Sequence, residues 1–517
     1  MAHGWSEDEQ AIRRYLQRIR RRGAVGSHRL FRQGRALAQQ QLHQVQQAED
    51  AAENVAERVR ENTAPRVHAL RSRGRRAWRS YPAMLLVVMT CLLALLACDL
   101  SPSFLPLLSR GANGNETGPS SGVELPTPSH LPAQKPLTYA QRVQQTVDYT
   151  LSRMTLGQKI GQMMMFETTA QTWNNDMDQM VRQMGAGAII IYKKNMVNPA
   201  QLKQFITTSQ SHTTIPMFVT MDEEGGNVDR LGDLGFAPHL PSAQYLGSTG
   251  DPNKAYQAGV AAALELQKYG INTDLAPVVD VRLVPNQVEG PRLYGNDPAT
   301  VEAYASGFLN GLQQNWIIGC LKHWPGIGST VQDPHLTLPV IDRTVAQLES
   351  TEFAPFRDML KDHPGMIMVT HVILSAIDPT MPSSLSPIIV NGILRNELGY
   401  NGVIITDNLW MQGVSSKYPL GQAAVLAVMA GDDLLEGAWN AYELKVMIDA
   451  VKQAVANGTI SQNRINQSVR RLLTLKAQYG ILPLLSPHHR PLPPGAASAP
   501  MGGPTIADLT NSFASAA

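Results

Sequence analysis

The sequence predicts an α/β protein: a single (β/α)8 barrel of the TIM type, preceded by a helical arm and one membrane-spanning helix. Two observations carry the barrel. From residue 156 to about residue 482, short apolar runs alternate with amphipathic segments, giving about eight β/α repeats. Polar residues gather at the ends of those runs, where a parallel barrel builds its site. A doubly wound sheet is the second reading of the same alternation. A third observation, an uncharged apolar run behind a cluster of arginines, sets what precedes the barrel.

Residues 1–80 form a basic arm, partly helical or disordered, read as cytoplasmic. The whole chain of 517 residues has a net charge of only +2, yet this arm holds 17 Arg, no Lys and 8 acidic residues. The remainder therefore carries 27 basic residues against 34 acidic ones. A nucleic-acid enzyme spreads positive charge over its folded part, so nucleic acid is discounted as a partner. Residues 39–61 lack Pro and Gly and should be helical, with a thin apolar stripe of Leu42, Val45, Val55 and Val59.

Residues 81–100 read as a transmembrane anchor. Residues 83–98 are uncharged and apolar, and Tyr81 and Pro82 extend the run to about the minimum for a bilayer helix. Arg71, Arg73, Arg75, Arg76 and Arg79 stand immediately before it. By the positive-inside rule, the N-terminus stays in the cytoplasm and the rest is exported, with the lipid bilayer as a partner. A buried core helix suits the length but not the arginine flank. A cleaved signal peptide is disfavoured by the long charged region ahead of the run. Leu95-Leu96-Ala97-Cys98 resembles a lipoprotein processing site, so lipidation at Cys98 is the alternative. Residues 101–137, rich in Gly, Ser, Pro, Asn and Thr, form a flexible tether.

Residues 138–482 hold the barrel. Apolar runs at 188–192, 217–221, 272–277, 366–370 and 403–407 read as strands, with further strands near Ile160 and at 316–320. Residues 425–435 read as the last unit, with Asp432 and Asp433 as structural acids at its strand's end. One cysteine, Cys320, lies in this region, which rules out a disulfide framework. Residues 483–517 form a Pro/Ala/Gly/Ser tail read as disordered.

The strand at 316–320 opens into Lys322-His323-Trp324-Pro325-Gly326-Ile327-Gly328, and the loop goes on to Asp333-Pro334-His335. An Asp beside a His orients the imidazole and stabilises its protonated form. The two meet only through a local bend, which the upstream glycines permit. After residue 221 comes Asp222-Glu223-Glu224-Gly225-Gly226-Asn227-Val228-Asp229-Arg230, where paired glycines let the backbone turn tightly beside the acids. An acidic turn capping the next helix is the plainer reading. Asp407 ends the run Val403-Ile404-Ile405-Thr406, where a carboxylate is costly to bury unless it is paired or used. His371 ends another run, either lining the cleft or serving structure.

Together these residues resemble family 3 of the glycoside hydrolases, and more narrowly its bacterial β-N-acetylglucosaminidases (NagZ type). The loop is similar to that family's Lys-His-Phe-Pro-Gly-His-Gly and Asp-Ser-His signature, with Ile327 and Pro334 as departures that remove no residue of assigned chemistry. The acidic turn resembles Asp-Gln-Glu-Gly-Gly-x-Val-x-Arg. Gly290-Pro291-Arg292-Leu293-Tyr294-Gly295-Asn296-Asp297-Pro298 is similar to Arg-Ser-Phe-Gly-x-Asp-Pro, and Thr406-Asp407-Asn408-Leu409-Trp410-Met411 to Ser/Thr-Asp-Asp-Leu-x-Met. The resemblance spans residues 139–482. It implies a retaining exo-β-N-acetylglucosaminidase of cell-wall glycans, without cofactor. Asp407 is then the nucleophile, and His335, oriented by Asp333, is the acid/base. Lys322, His323, Asp222, Arg230 and Arg292 hold the terminal sugar. A β-glucosidase or glycosyl phosphorylase of the same family is the alternative within the class. A metal-dependent hydrolase using His323, Asp333, His335 and His371 is another, though their order lacks a compact ligand motif. An inactive wall-binding module is a third.

Overall fold

The computed structural model describes residues 137–285 and 290–485. The arm, the anchor, most of the tether and the tail lie outside the described residues, so those expectations stand on sequence alone. Among the described residues, no helix is long and apolar enough to cross a membrane.

The wall opens with β1 (Met164–Phe166), β2 (Ala188–Ile190) and β3 (Phe218–Met221). A small antiparallel hairpin follows, β4 (Glu223–Gly225) with β5 (Val228–Asp229). The wall resumes with β6 (Thr273–Asp274) and β7 (Ile318–Trp324). Then come β8 (Val340–Ile341), β9 (Met366–Val369), β10 (Ile373–Leu374), β11 (Val403–Thr406) and β12 (Leu435–Ala438), with β8 and β10 pairing apart from the wall. The eight wall strands run in the order β11-β9-β7-β6-β3-β2-β1-β12, and every pair is parallel. A bridge between Ile405 and Leu434 joins the two ends of that order, and the Thr406 N–H donates to the Leu434 carbonyl at 3.0 Å. The result is a TIM-type α/β barrel.

The strands read as continuous apolar runs because helices cover the outside of the wall and side chains fill its inside. Along β3, β9 and β11 every residue is buried. Three of the outer helices start on the same dipeptide chemistry. Asn198, Asp251 and Asp297 cap helices Pro199–Ser211, Pro252–Tyr269 and Pro298–Gln314, each with proline at the first helical position. The last two pack unusually close: a Cβ on Gly259 would stand 2.2 Å from the Phe308 carbonyl, and one on Gly311 2.3 Å from that of Tyr256.

Three expectations are corrected. Ile160 lies in helix Leu156–Gln162, started by the reciprocal Thr155–Gln158 capping box, and the first strand begins at Met164. The strand expected at 316–320 runs on to Trp324, so Lys322 and His323 sit within β7 and are buried. In the last unit, 420–430 is an apolar helix and the strand follows at 435–438. Asp432 and Asp433 thus precede β12, at the end opposite the site. There Asp433 takes Arg395 at 2.8 Å and Arg471 at 3.1 Å, a structural role. An uninterrupted apolar run gives no period from which helix and strand could be told apart.

Candidate active site

The C-terminal ends of the wall strands surround a cleft of about 640 Å³. Lys322, 2 % exposed, projects into it from β7. Its Nζ lies 2.7 Å from Asp222 Oδ1 and 2.6 Å from Glu224 Oε1. Burial disfavours the ammonium, but Asp222 and Glu224 outweigh it and hold the pKa above the ordinary lysine range. Arg292 grips Glu224 with both arms of its guanidinium, Nε to Oε2 at 2.7 Å and Nη2 to Oε1 at 2.8 Å. Burial works against the Glu224 carboxylate, yet Arg292 and Lys322 keep it ionised far below the usual range. Arg230 reaches Asp222 at 3.7 Å. The positive φ of Gly225 and Gly226, +86° and +60°, turns the chain between these acids and Arg230. Glu223 points away and accepts the backbone N–H groups of Arg230 and Leu231.

His323 places Nδ1 2.7 Å from Asp280 Oδ2 and Nε2 3.5 Å from Arg292 Nη2. Asp280 also accepts the Ile327 N–H at 2.8 Å, fixing the start of the glycine loop. Asp280 belongs to none of the motifs drawn from the sequence, although an acid inside Val278-Val279-Asp280-Val281 gives the same signal that singled out Asp407.

Asp407 follows β11. Thr370 Oγ1 donates to its Oδ2 at 2.9 Å, and the Asn408 N–H to its Oδ1 at 2.9 Å. Burial pushes its pKa up, but His371, His323 and His335 bring it below the ordinary aspartate value. His371 is buried beneath, bound to Ser384 Oγ at 2.7 Å and to the Asn408 carbonyl at 3.0 Å. Of its two readings the structural one therefore applies: it holds the turn that carries Asp407.

The loop after β7 brings Asp333 and His335 together. A turn in which the Asp333 carbonyl accepts the N–H groups of Leu336 and Thr337 supplies the bend. His335 Nδ1 sits 2.7 Å from Asp333 Oδ1, and its exposed ring faces the cleft. Asp407, His335, Asp222, Arg230, Arg292, Lys322 and His323 thus line one cleft, with Asp333 behind His335.

The opposite wall is not legible in the motifs. Asn408 Nδ2 donates to Glu167 Oε1 at 2.9 Å and to Glu436 Oε1 at 3.3 Å. Lys194 pairs with Glu167 at 2.8 Å and lies over the Trp439 ring at 4.0 Å. Glu167 and Glu436 each stand in or beside an apolar strand, the signal already noted for Asp280.

The model of the glycosyl hydrolase family 3 N-terminal domain matches residues 155–475. A β-hexosaminidase of Methylobacillus flagellatus is 33 % identical over 261 residues, covering 49 % of this chain and 74 % of that one. A β-hexosaminidase of Mycobacterium tuberculosis is 33 % identical over 273 residues, covering 51 % and 68 %. Among solved structures, a family 3 β-N-acetylglucosaminidase from Paenibacillus superposes with a TM-score of 0.63 at 32 % identity, over 70 % of this chain and 68 % of that one. With the family motifs gathered on one cleft at the mouth of a TIM-type barrel, the chain belongs to glycoside hydrolase family 3 and is a glycoside hydrolase of the β-hexosaminidase kind.

Proposed function

We propose that the protein is a retaining exo-β-N-acetylglucosaminidase that removes terminal β-linked N-acetylhexosamine from peptidoglycan-type glycans. One observation carries this reading: an Asp407 carboxylate held ionised in the cleft wall, with the His335–Asp333 pair on the loop at the cleft's mouth. In the first step an Asp407 oxygen bonds to the anomeric carbon as the glycosidic C–O bond breaks. His335, protonated, passes its Nε2 proton to the departing oxygen and becomes neutral. In the second step the neutral imidazole takes a proton from water, whose oxygen displaces Asp407. Two inversions at one carbon leave its configuration unchanged. Asp333 keeps Nδ1 engaged, which turns Nε2 towards the cleft and supports the imidazolium.

Lys322, His323, Asp222, Arg230 and Arg292 hold the hydroxyls of the terminal sugar. Ion pairs already fix these side chains, so little ordering is needed on binding. On this reading the barrel works outside the cytoplasmic membrane, anchored by residues 81–100. The test is turnover of nitrophenyl N-acetyl-β-glucosaminide, with and without phosphate, beside the corresponding β-glucoside. Faster turnover of the glucoside, or product appearing as a sugar phosphate, overturns the assignment.

A further inference from the structure

Four cleft carboxylates already have close partners. Glu167 pairs with Lys194, Asp222 with Lys322 and Arg230, and Glu224 with Arg292 and Lys322. Asp407 is held by Thr370 and the Asn408 N–H. Glu436 is the fifth. It is 3 % exposed and lines the cleft. Among the described residues, its Oε1 has two long contacts, both from neutral donors, Tyr192 Oη and Asn408 Nδ2 at 3.3 Å. Among the described residues, its Oε2 has no hydrogen-bond or ion-pair partner, and it is not among the buried atoms sealed off from water. A buried carboxyl oxygen open to a substrate cleft calls for a partner that arrives with the ligand.

We propose that Glu436 is a specificity-determining residue whose Oε2 contacts one hydroxyl of the sugar bound against Asp407. This rests on the glycosidase reading above and names a contact within the same site. Its backbone is rigid: the Glu436 N–H donates to Thr406 Oγ1 at 3.1 Å, and its carbonyl accepts the Leu409 N–H at 3.0 Å. A side chain so mounted on a wall strand can discriminate between substituents rather than adapt to them.

The partner is a hydroxyl rather than a cation. Burial raises the Glu436 carboxyl well above its ordinary pKa, and the charges of Asp407, Asp222 and Glu167 push it the same way. That direction favours the neutral acid, whose one O–H and acceptor capacity match a hydroxyl and need no change of charge. Glu436 lines the same cleft as Asp407 and Asp222.

The experiment compares wild type, Glu436→Gln and Glu436→Leu on nitrophenyl N-acetyl-β-glucosaminide and on its 3-deoxy, 4-deoxy and 6-deoxy analogues. Gln keeps the shape, a donor and an acceptor, so kcat/KM on the parent should stay within about threefold of wild type. Leu keeps the bulk but neither polar group, so kcat/KM should fall at least about tenfold. On one of the three analogues the Leu penalty should vanish, because the missing hydroxyl leaves nothing to lose. Equal Leu penalties on all four substrates would make Glu436 structural and overturn the proposal. A Gln loss as large as that of Leu would mean an ionised, cation-binding carboxylate and overturn it as well. If wild type turns over none of the four, the glycosidase reading itself has failed, a result distinct from either.

Discussion

At the scale of single residues, the site separates charge by partner. Lys322 and Arg292 are spent on Asp222 and Glu224, which leaves Asp407 with neutral donors and nearby histidines. A carboxylate meant to form a bond at carbon should be ionised yet carry no tight cation, and this is the arrangement around Asp407. Asp407→Asn keeps the shape and removes the attacking charge, so kcat should fall by at least about a thousandfold. A 2-fluoro sugar with a good leaving group should label Asp407, and labelling at Asp222 or Glu224 would reverse the roles of nucleophile and sugar-binding acid. For His335 the expected pattern depends on the leaving group. An alkoxide needs a proton to depart, whereas a dinitrophenolate does not. His335→Ala should therefore slow glycosylation severely for a natural disaccharide and little for the activated aryl glycoside. Azide should restore turnover by replacing the water that the imidazole would have activated. Equal losses on both substrates without azide rescue would reduce His335 to a sugar-binding group.

At the scale of elements, what was legible follows from how each signal arises. Runs such as Val403-Ile404-Ile405-Thr406 were readable as strands because burial on both faces leaves no polar position. The same rule blurred Ile160 and the 420–430 helix, where apolar density is equally high and period alone cannot choose. Catalytic candidates were legible where polar residues cluster within a short stretch, as with Lys322-His323 in β7 and Asp333-His335 on the loop after it. Asp280, Glu167 and Glu436 give the same single-acid signal as Asp407, but each meets partners supplied by elements distant in sequence, so no local motif named them.

The helix Gln462–Gln478 adds an element with a pH consequence. Its Lys476 enters the barrel's lower end, with Nζ 2.7 Å from Gln162 Oε1, 3.0 Å from the Gly187 carbonyl and 4.8 Å from the Phe218 ring centroid. No carboxylate is among these partners, and burial lowers its pKa to about 7. The unfolded chain holds that proton up to the usual lysine value of about 10.4. Between those two pKa values the unfolded state binds more protons, so stability should rise with pH from 7 towards 10 and level off below 7. The slope approaches about 1.4 kcal/mol per pH unit for one such group. Lys476→Met should remove this slope from the difference between melting curves at pH 7 and pH 9.5. An unchanged difference would mean that the lysine stays protonated in the fold.

At the scale of the whole molecule, charge and hydropathy divide the chain into parts of different character. The first 80 residues carry 17 Arg and no Lys, while residues 81–517 are net acidic. An acidic barrel has no electrostatic reason to rest on an anionic membrane surface, whereas an arginine-rich arm does. The uncharged run at 83–98 stands between them, directly after five arginines, and charge bias of that kind sets which side of a membrane each flank occupies. On the proposed reading, a Gly-, Ser- and Pro-rich composition such as that of residues 109–137 suits a tether between anchor and barrel. Hexosaminidase activity should sediment with membranes and resist a high-salt wash, because an apolar span is not held by charge. Protease added to intact cells should cut within 109–137 and release an active fragment into the medium, while the arginine-rich arm stays protected until the membrane is opened. If the activity instead appears in the soluble cytoplasmic fraction of gently lysed cells, the run at 83–98 does not anchor the protein and the barrel acts on glycans inside the cell.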